Sequence, residues 1–146
     1  MSERSSADLA LAQLEIGRRV TVRKTVGETD VYLFAGISGD FAPNHVDEEY
    51  MKATRYGRRI AHGALMVAYM SQASTRMCES LPGTAVSYGY DRIRFPGPVF
   101  IGDTVTVTYE IASVDVPARK AFSQITVTNQ QGKVVAAGVH VLKWVD

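Results

Sequence analysis

A carboxylate and an imidazole lie five residues apart in the stretch SGDFAPNHVD, at Asp40 and His45. This stretch holds a Gly, a Pro and several residues that favour turns, so we predict a compact loop over residues 38–47. On a tight loop both groups could reach one water molecule, the carboxylate accepting its proton and the imidazole holding or donating one. The pair could therefore perform general acid–base chemistry. On spacing alone, an aspartate that only caps the loop is the more common case.

A helix start some fifteen residues later could supply a second element of a site. Apolar residues recur every three or four positions from Ile60 to Leu81, which predicts one long helix with a His62-Gly63 pair near its start. The first N–H groups of a helix are unpaired and carry partial positive charge, and Gly63 has no side chain to block them. This end could bind a polarised carbonyl oxygen, as an oxyanion hole does. Alternatively, Gly63 only permits close packing.

Together these features favour the addition or removal of water at a carbon conjugated to a carbonyl. Other chemistry has less support. Asp40, His45, Asp47 and His62 lack the spacing of zinc ligands and no Cys accompanies them, so we expect no metal. His140 falls in a predicted strand, where packing is the usual role.

The remaining sequence must position this loop and this helix start. The alternation and turn signals predict strands at 19–26, 85–95, 104–114, 121–128 and 134–144, and a further helix over 28–37. Short connections between the last four strands indicate an antiparallel sheet. We expect an α+β fold in which the long central helix is wrapped by a curved antiparallel β-sheet, with its first turns enclosed on all sides. Such a sheet cannot cover both of its own faces, so a homodimer is expected.

Length and composition fit one globular domain. The chain has 146 residues, 46% of them hydrophobic, and a net charge of +1. This charge disfavours a general nucleic-acid binder, and the apolar part of the central helix is too short to span a membrane. The single Cys78 excludes an internal disulfide, and no secretory pattern opens the chain, so we expect a cytoplasmic protein. Residues 1–18 are predicted to be a loose tail through Asp8 followed by a short docking segment, and residues 19–146 a single domain.

The motifs resemble a known family. FAGISGDFAPNHVDEEYMK, then IAHGALMVAYMS and YDRIRFPGPVFIGDTVTV, are similar to the MaoC-like, (R)-specific enoyl-CoA hydratases of the hot-dog fold. The resemblance implies that Asp40 and His45 are catalytic and that the Gly63 backbone binds the thioester carbonyl. We assign His62, next to Gly63, to the same substrate-binding group. It implies hydration of trans-2-enoyl thioesters to (R)-3-hydroxyacyl thioesters, without a metal or redox cofactor. The substrate would carry coenzyme A or an acyl carrier's phosphopantetheine, and the protein would be a homodimer or higher oligomer.

Two positions depart from the family pattern. Ala42 stands where the family usually has Asn, and Ala68 where many members have a supporting Ser. A non-catalytic subunit that binds acyl thioesters therefore stays open as an alternative. So does a hot-dog thioesterase, although the central helix carries only one carboxylate, Glu79, near its far end.

The sequence leaves acyl length and the choice of carrier open. We expect an acyl tunnel lined by Leu65, Met66, Tyr69 and the strand at 88–94. Several basic residues could meet phosphates, although such residues usually form a solvated surface: Arg55, Arg58, Arg59, Arg92, Arg94, Arg119 and Lys120.

Overall fold

The computed structural model describes residues 3–146 and contains five helices and five strands in that range. The helices are α1 (Ser6–Gln13), α2 (Glu28–Ser38), α3 (Pro43–Val46), α4 (Glu48–Lys52) and α5 (Gly63–Cys78). The strands are β1 (Arg19–Thr25), β2 (Ala85–Arg94), β3 (Thr104–Asp115), β4 (Lys120–Thr128) and β5 (Val134–Trp144). No helix among these residues is long and apolar enough to cross a membrane.

The five strands form one antiparallel sheet in the order β1-β3-β4-β5-β2. Along β3 and β4, alternate side chains are buried, as expected for strands with one face on the core. The central helix α5 buries Leu65, Met66, Met70, Ala73 and Met77. These side chains join the buried residues of β3, β4 and β5 in one core, which confirms the predicted arrangement of a helix on an antiparallel sheet.

The central helix differs from its prediction at both ends and in how fully its first turns are covered, and it ends at Cys78 rather than Leu81. It begins at Gly63 rather than Ile60, because the N–H of Ala61 donates to the carbonyl of Val99 (2.7 Å) in an extended connection. The expectation that its first turns are enclosed on all sides is wrong for the single chain, since Ala64 and Ala68 are exposed. The apolar face that they form is therefore open in one copy.

The N-terminal segment is more ordered than predicted. Helix α1 begins at Ser6, where a loose tail had been expected, because Ser5 and Asp8 form a reciprocal capping box. Ala7, Ala10 and Leu11 of α1 are buried in the main core, which fits the predicted docking role. Only Met1 and Ser2 of the predicted tail lie outside the described residues.

Candidate active site

The end of α2 places Asp40. Gly39 ends the helix with a φ of 79°, a left-handed conformation that glycine adopts without strain, and its N–H donates to the Ala35 carbonyl (2.8 Å). The N–H of Asp40 then donates to the Ser38 hydroxyl (3.2 Å), and its carboxylate accepts the N–H of Ala42 (3.2 Å). The side chain remains 52% exposed, so the carboxylate is anchored at one oxygen and accessible at the other.

His45 is held by a short helix rather than by an irregular loop. Pro43 occupies the first turn of α3, a position that suits its fixed φ and missing N–H. The buried His45 ring places Nδ1 2.7 Å from the Ile60 carbonyl oxygen. Since a carbonyl only accepts, Nδ1 must carry the proton, and in the neutral ring the lone pair is on Nε2. That Nε2 lies 3.8 Å from Oδ2 of Asp40.

His62 links the loop that carries Asp40 to the start of α5. It is the N-cap residue of α5 and is buried, and its Nε2 donates to the backbone carbonyl of Asp40 (2.9 Å). Its ring stacks on His45 with centroids 3.7 Å apart, and Phe34 covers the ring at 4.8 Å. The substrate-binding role predicted for His62 stays a prediction. Its side-chain contacts favour a positioning role instead.

Donor atoms of three side chains, Asp40, His45 and His62, lie within 4.8 Å of one another, a cluster that their sequence spacing did not indicate. However, Nε2 of His62 donates to the Asp40 carbonyl and Nδ1 of His45 donates to the Ile60 carbonyl. Nδ1 of His62 is buried and has no hydrogen-bond partner among the residues that the structure describes. Nε2 of His45 and Oδ2 of Asp40 lie 3.8 Å apart, and this pair is suited to holding one water molecule between them.

A cavity of about 590 Å³ opens beside these groups. His45, His62, Gly63 and Met66 line it, together with the segment from Phe95 to Val99. A Cβ on Gly63 would come within 2.8 Å of the Phe95 ring, so this close approach requires glycine. Of the predicted tunnel residues, Met66 lines this cavity, whereas Leu65, Tyr69 and the strand at 88–94 do not.

Arg59 braces the surrounding elements. Its guanidinium donates to Glu48 (2.5 Å), Glu28 (2.5 Å) and the hydroxyl of Tyr32 (3.0 Å), and its side chain is only 18% exposed. The hydrogen bond to Glu28 is the main reason that the pKa of Arg59 lies above its usual range. These contacts tie α2 and α4 to the segment before α5. The expectation of a solvated surface is thus wrong for Arg59.

Comparison with known proteins gives the family. Residues 12–136 match the MaoC-like domain family, which is most of the chain. The chain belongs to the MaoC-like domain family. This MaoC-like chain is 40% identical over 138 residues to an (R)-specific enoyl-CoA hydratase of Rhodospirillum rubrum, with 92% of each protein covered.

Solved structures agree with the family assignment. An R-hydratase of Pseudomonas aeruginosa, in its unliganded form, matches the MaoC-like chain with a TM-score of 0.81 and 34% identity, covering 93% of this chain and 85% of the other. An (R)-hydratase of Aeromonas caviae matches with a TM-score of 0.83 and 28% identity, covering 91% and 98%. The predicted hot-dog fold is confirmed.

Three contributors to the site were not found from the sequence. The Ile60 carbonyl fixes the His45 tautomer, Phe34 covers His62, and Phe95 packs over Gly63. A backbone carbonyl carries no residue-type signal. The two Phe residues fall within stretches that carry the family resemblance, but their residue type alone does not show that they pack against the site.

Proposed function

We propose that this MaoC-like protein is a hydro-lyase that adds water to trans-2-enoyl thioesters to give (R)-3-hydroxyacyl thioesters, and catalyses the reverse dehydration. The observation that carries the proposal is the pairing of an accessible Asp40 carboxylate with Nε2 of His45 beside the start of α5. The 40% identity to an (R)-specific enoyl-CoA hydratase over most of both chains supports the same reaction.

Asp40 and His45 would activate the water together. A separation of 3.8 Å is too long for a direct hydrogen bond, but one water oxygen can lie within hydrogen-bond distance of both atoms. With Nδ1 of His45 donating to the Ile60 carbonyl, Nε2 of His45 and the Asp40 carboxylate are the atoms that accept hydrogen bonds from that water. The pair takes one proton from the water and delivers it to the α-carbon, while the hydroxyl group adds to the β-carbon. Both side chains return to their starting protonation states, so no cofactor is consumed.

Gly63 would stabilise the enolate that forms during addition. As the β-carbon gains oxygen, negative charge moves onto the thioester carbonyl oxygen. The first N–H groups of α5 have no partner within the helix, and they lie at its positive end. A carbonyl oxygen bound to the Gly63 N–H would be stabilised as its charge grows, which lowers the barrier.

His62 would set the geometry of this pair without touching the reacting atoms. It fixes the Asp40 backbone through Nε2 and stacks on the His45 ring, so one residue constrains both catalytic groups. Because His62 is also the N-cap of α5, the same contact fixes the acid–base pair relative to Gly63. Small errors in such alignment lower a rate strongly.

The proposed substrate is an acyl thioester of coenzyme A or of a carrier's phosphopantetheine, and no further cofactor or metal enters the reaction. We also propose a homodimer. The apolar face of α5 at Ala64 and Ala68 is exposed in a single copy, and a second copy could bury it. Strand β2 pairs with β5 on one side and forms an edge of the sheet on the other, with Val86 and Tyr88 exposed. The single Cys78 fits a reducing compartment, so we place the protein in the cytoplasm.

A thioesterase is the second candidate, since it would use the same cavity. It requires a carboxylate that directs water at the carbonyl carbon. Helix α5 contains no carboxylate, and Glu79 follows its last residue, a full helix length away from Gly63. The structure therefore favours attack on the β-carbon by the water at Asp40 and His45.

Product analysis with crotonyl-CoA tests the proposal. We expect loss of the enoyl absorbance with no release of free thiol, and a product with the R configuration by chiral chromatography. Release of CoA thiol would indicate a thioesterase instead. Binding of crotonyl-CoA without turnover would indicate the non-catalytic subunit.

A further inference from the structure

A second cleft adjoins the active-site cavity. It has a volume of about 370 Å³ and runs between Arg58, the segment Pro96–Phe100 and the β4–β5 hairpin. Pro96, Gly97, Pro98 and Val135 line both the cavity and the cleft, so the two spaces are neighbours along one wall. The cavity is lined beside Met66 by the apolar Ala61 and Ala64, whereas half of the residues that border the cleft are polar or charged.

Two cations border this cleft without a carboxylate partner. Arg58 is exposed, and its guanidinium stacks over the Phe100 ring with 4.0 Å between the guanidinium carbon and the ring centroid. Lys133 is exposed on the β4–β5 hairpin. Within residues 3–146, neither side chain forms an ion pair, in contrast to Arg59 with its two carboxylates. Since the net charge of the chain is only +1, this pair of free cations is not part of a general basic excess.

The one carboxylate in the cleft is already occupied. Asp103 is buried, one oxygen accepts the N–H of Phe100 (2.8 Å), and the other accepts the amide of Gln130 (2.9 Å). Asp103 therefore fixes Phe100, and with it the ring on which Arg58 stacks. It also braces the hairpin, where the N–H of Lys133 donates to the Asn129 side chain (3.1 Å). The walls of the cleft are thus held in place, and Arg58 and Lys133 supply its cationic hydrogen-bond donors.

We propose that Arg58 and Lys133 bind the phosphate groups of the coenzyme A part of the substrate, so that this cleft receives the nucleotide while the enoyl end lies at Asp40 and His45. This inference rests on the proposed function. A thioester at Gly63 must leave the cavity through its pantetheine arm, and the shared wall of Pro96 to Pro98 leads that arm towards the cleft. A guanidinium fixed on an aromatic ring is well suited to phosphate, because its donors are oriented before binding.

The test compares three crotonyl thioesters that differ only in the nucleotide and phosphate groups of the thiol carrier: crotonyl-CoA, crotonyl-3′-dephospho-CoA and crotonyl-pantetheine. The variants are Arg58→Met and Lys133→Met, which keep the aliphatic stem and remove the charge. Arg23→Met serves as the matched control, because Arg23 is an exposed arginine on β1, at the opposite edge of the sheet from β2. KM and kcat are measured for each pair of enzyme and substrate, at low and at physiological salt.

We expect each substitution to raise the KM for crotonyl-CoA by about five- to tenfold with kcat unchanged, the size of a partly exposed charged hydrogen bond. The KM for crotonyl-pantetheine should stay the same in all variants, and the control should behave as wild type. The dephospho substrate identifies the phosphate: a residue whose loss no longer matters for this substrate binds the 3′-phosphate, and one whose loss still matters binds the diphosphate.

Equal KM values of wild type and variants for crotonyl-CoA would overturn the cleft assignment while the hydratase proposal stands. If the wild type hydrates none of the three thioesters, the proposed function fails. Titration calorimetry with free CoA then tests, independently of turnover, whether the cleft binds CoA. Weaker CoA binding by Arg58→Met and Lys133→Met, but not by Arg23→Met, would support the cleft. Equal CoA binding by all four proteins would refute it.

Discussion

Lowering the pH from about 7.5 to about 5 should destabilise this protein by roughly 2 kcal/mol through His140 alone. His140 is fully buried in β5. Its Nδ1 lies 2.8 Å from the Tyr109 hydroxyl, its Nε2 lies 2.7 Å from the Ser87 hydroxyl, and its ring stacks on Tyr90 at 4.2 Å. Burial disfavours the charged ring and lowers the pKa of His140 to about 4. The neighbouring phenols are neutral in this range, since burial raises the pKa of both Tyr90 and Tyr109.

The magnitude follows from the difference in proton binding. Above pH 6.5, the ordinary pKa of His140, both the folded and the unfolded chain hold a neutral ring and the contribution is constant. Below pH 6.5 the His140 ring binds a proton in the unfolded chain, but in the folded chain it stays neutral until the pH approaches 4. The free energy of unfolding therefore decreases as the pH falls from 6.5 to about 4. At about pH 5 this linkage corresponds to roughly 2 kcal/mol, and the loss levels off below the folded pKa near about 3 kcal/mol.

The assay is urea unfolding followed by circular dichroism at the two pH values and at one fixed protein concentration. The variant His140→Gln removes the titrating group, and His45→Gln serves as a control that retains it. We expect wild type and His45→Gln to lose about 2 kcal/mol more between the two pH values than His140→Gln does. Equal losses in all three proteins would refute the assignment of this pH dependence to the buried His140.

Three substitutions test other parts of the structure. Gly63→Ala should lower kcat/KM for crotonyl-CoA about 100-fold, because the new methyl group would lie 2.8 Å from the Phe95 ring at the carbonyl site. The same clash should lower the melting temperature, since the Phe95 ring must shift to admit the methyl group. An unchanged rate would argue against the site. His62→Phe keeps the ring stack on His45 but loses the hydrogen bond to the Asp40 carbonyl. We expect kcat to fall about 10- to 100-fold with little change in KM. A rise in KM alone would instead indicate that His62 binds the substrate. Arg59→Met should lower the free energy of unfolding, measured by urea titration, by about 1–2 kcal/mol, and no loss would mean that its two ion pairs are not stabilising.

Much of the fold could be predicted from the sequence because it depends on local periodicity. The alternation along β3 and β4 and the apolar stripe of α5 each follow from neighbouring residues, and the predicted strands match within one or two residues. Helix α1 was placed too late, because Ser5 and Asp8 decide its start through a capping box rather than through hydrophobicity. The exposed Ala64 and Ala68 were missed for a different reason, since an apolar pattern does not tell which copy of the chain provides the cover.

In the candidate site, too, some residues could be predicted from the sequence, whereas the contacts that orient them could not. Asp40, His45 and Gly63 could be named from residue types and from the family resemblance. In the structure His45 and Gly63 line one cavity, and the Asp40 carboxylate lies 3.8 Å from His45. The contacts that orient them could not be named. The Ile60 carbonyl and the ring of Phe95 reach the site from positions far apart along the chain. The opposite roles of the adjacent Arg58 and Arg59 also depend on tertiary contacts alone.

The most direct test of the account compares hydration of crotonyl-CoA by the wild type with hydration by Asp40→Asn and His45→Gln. Asp47→Asn is the matched control, because Asp47 lies in the same region but only caps α4 through the N–H of Tyr50 (2.9 Å). We predict that wild type and control hydrate the substrate, and that both active-site variants, folded by circular dichroism, lose at least about 1,000-fold in kcat/KM. An inactive wild type, on short and medium acyl chains alike, or variants that keep the wild-type rate, would contradict the claim that Asp40 and His45 activate the water.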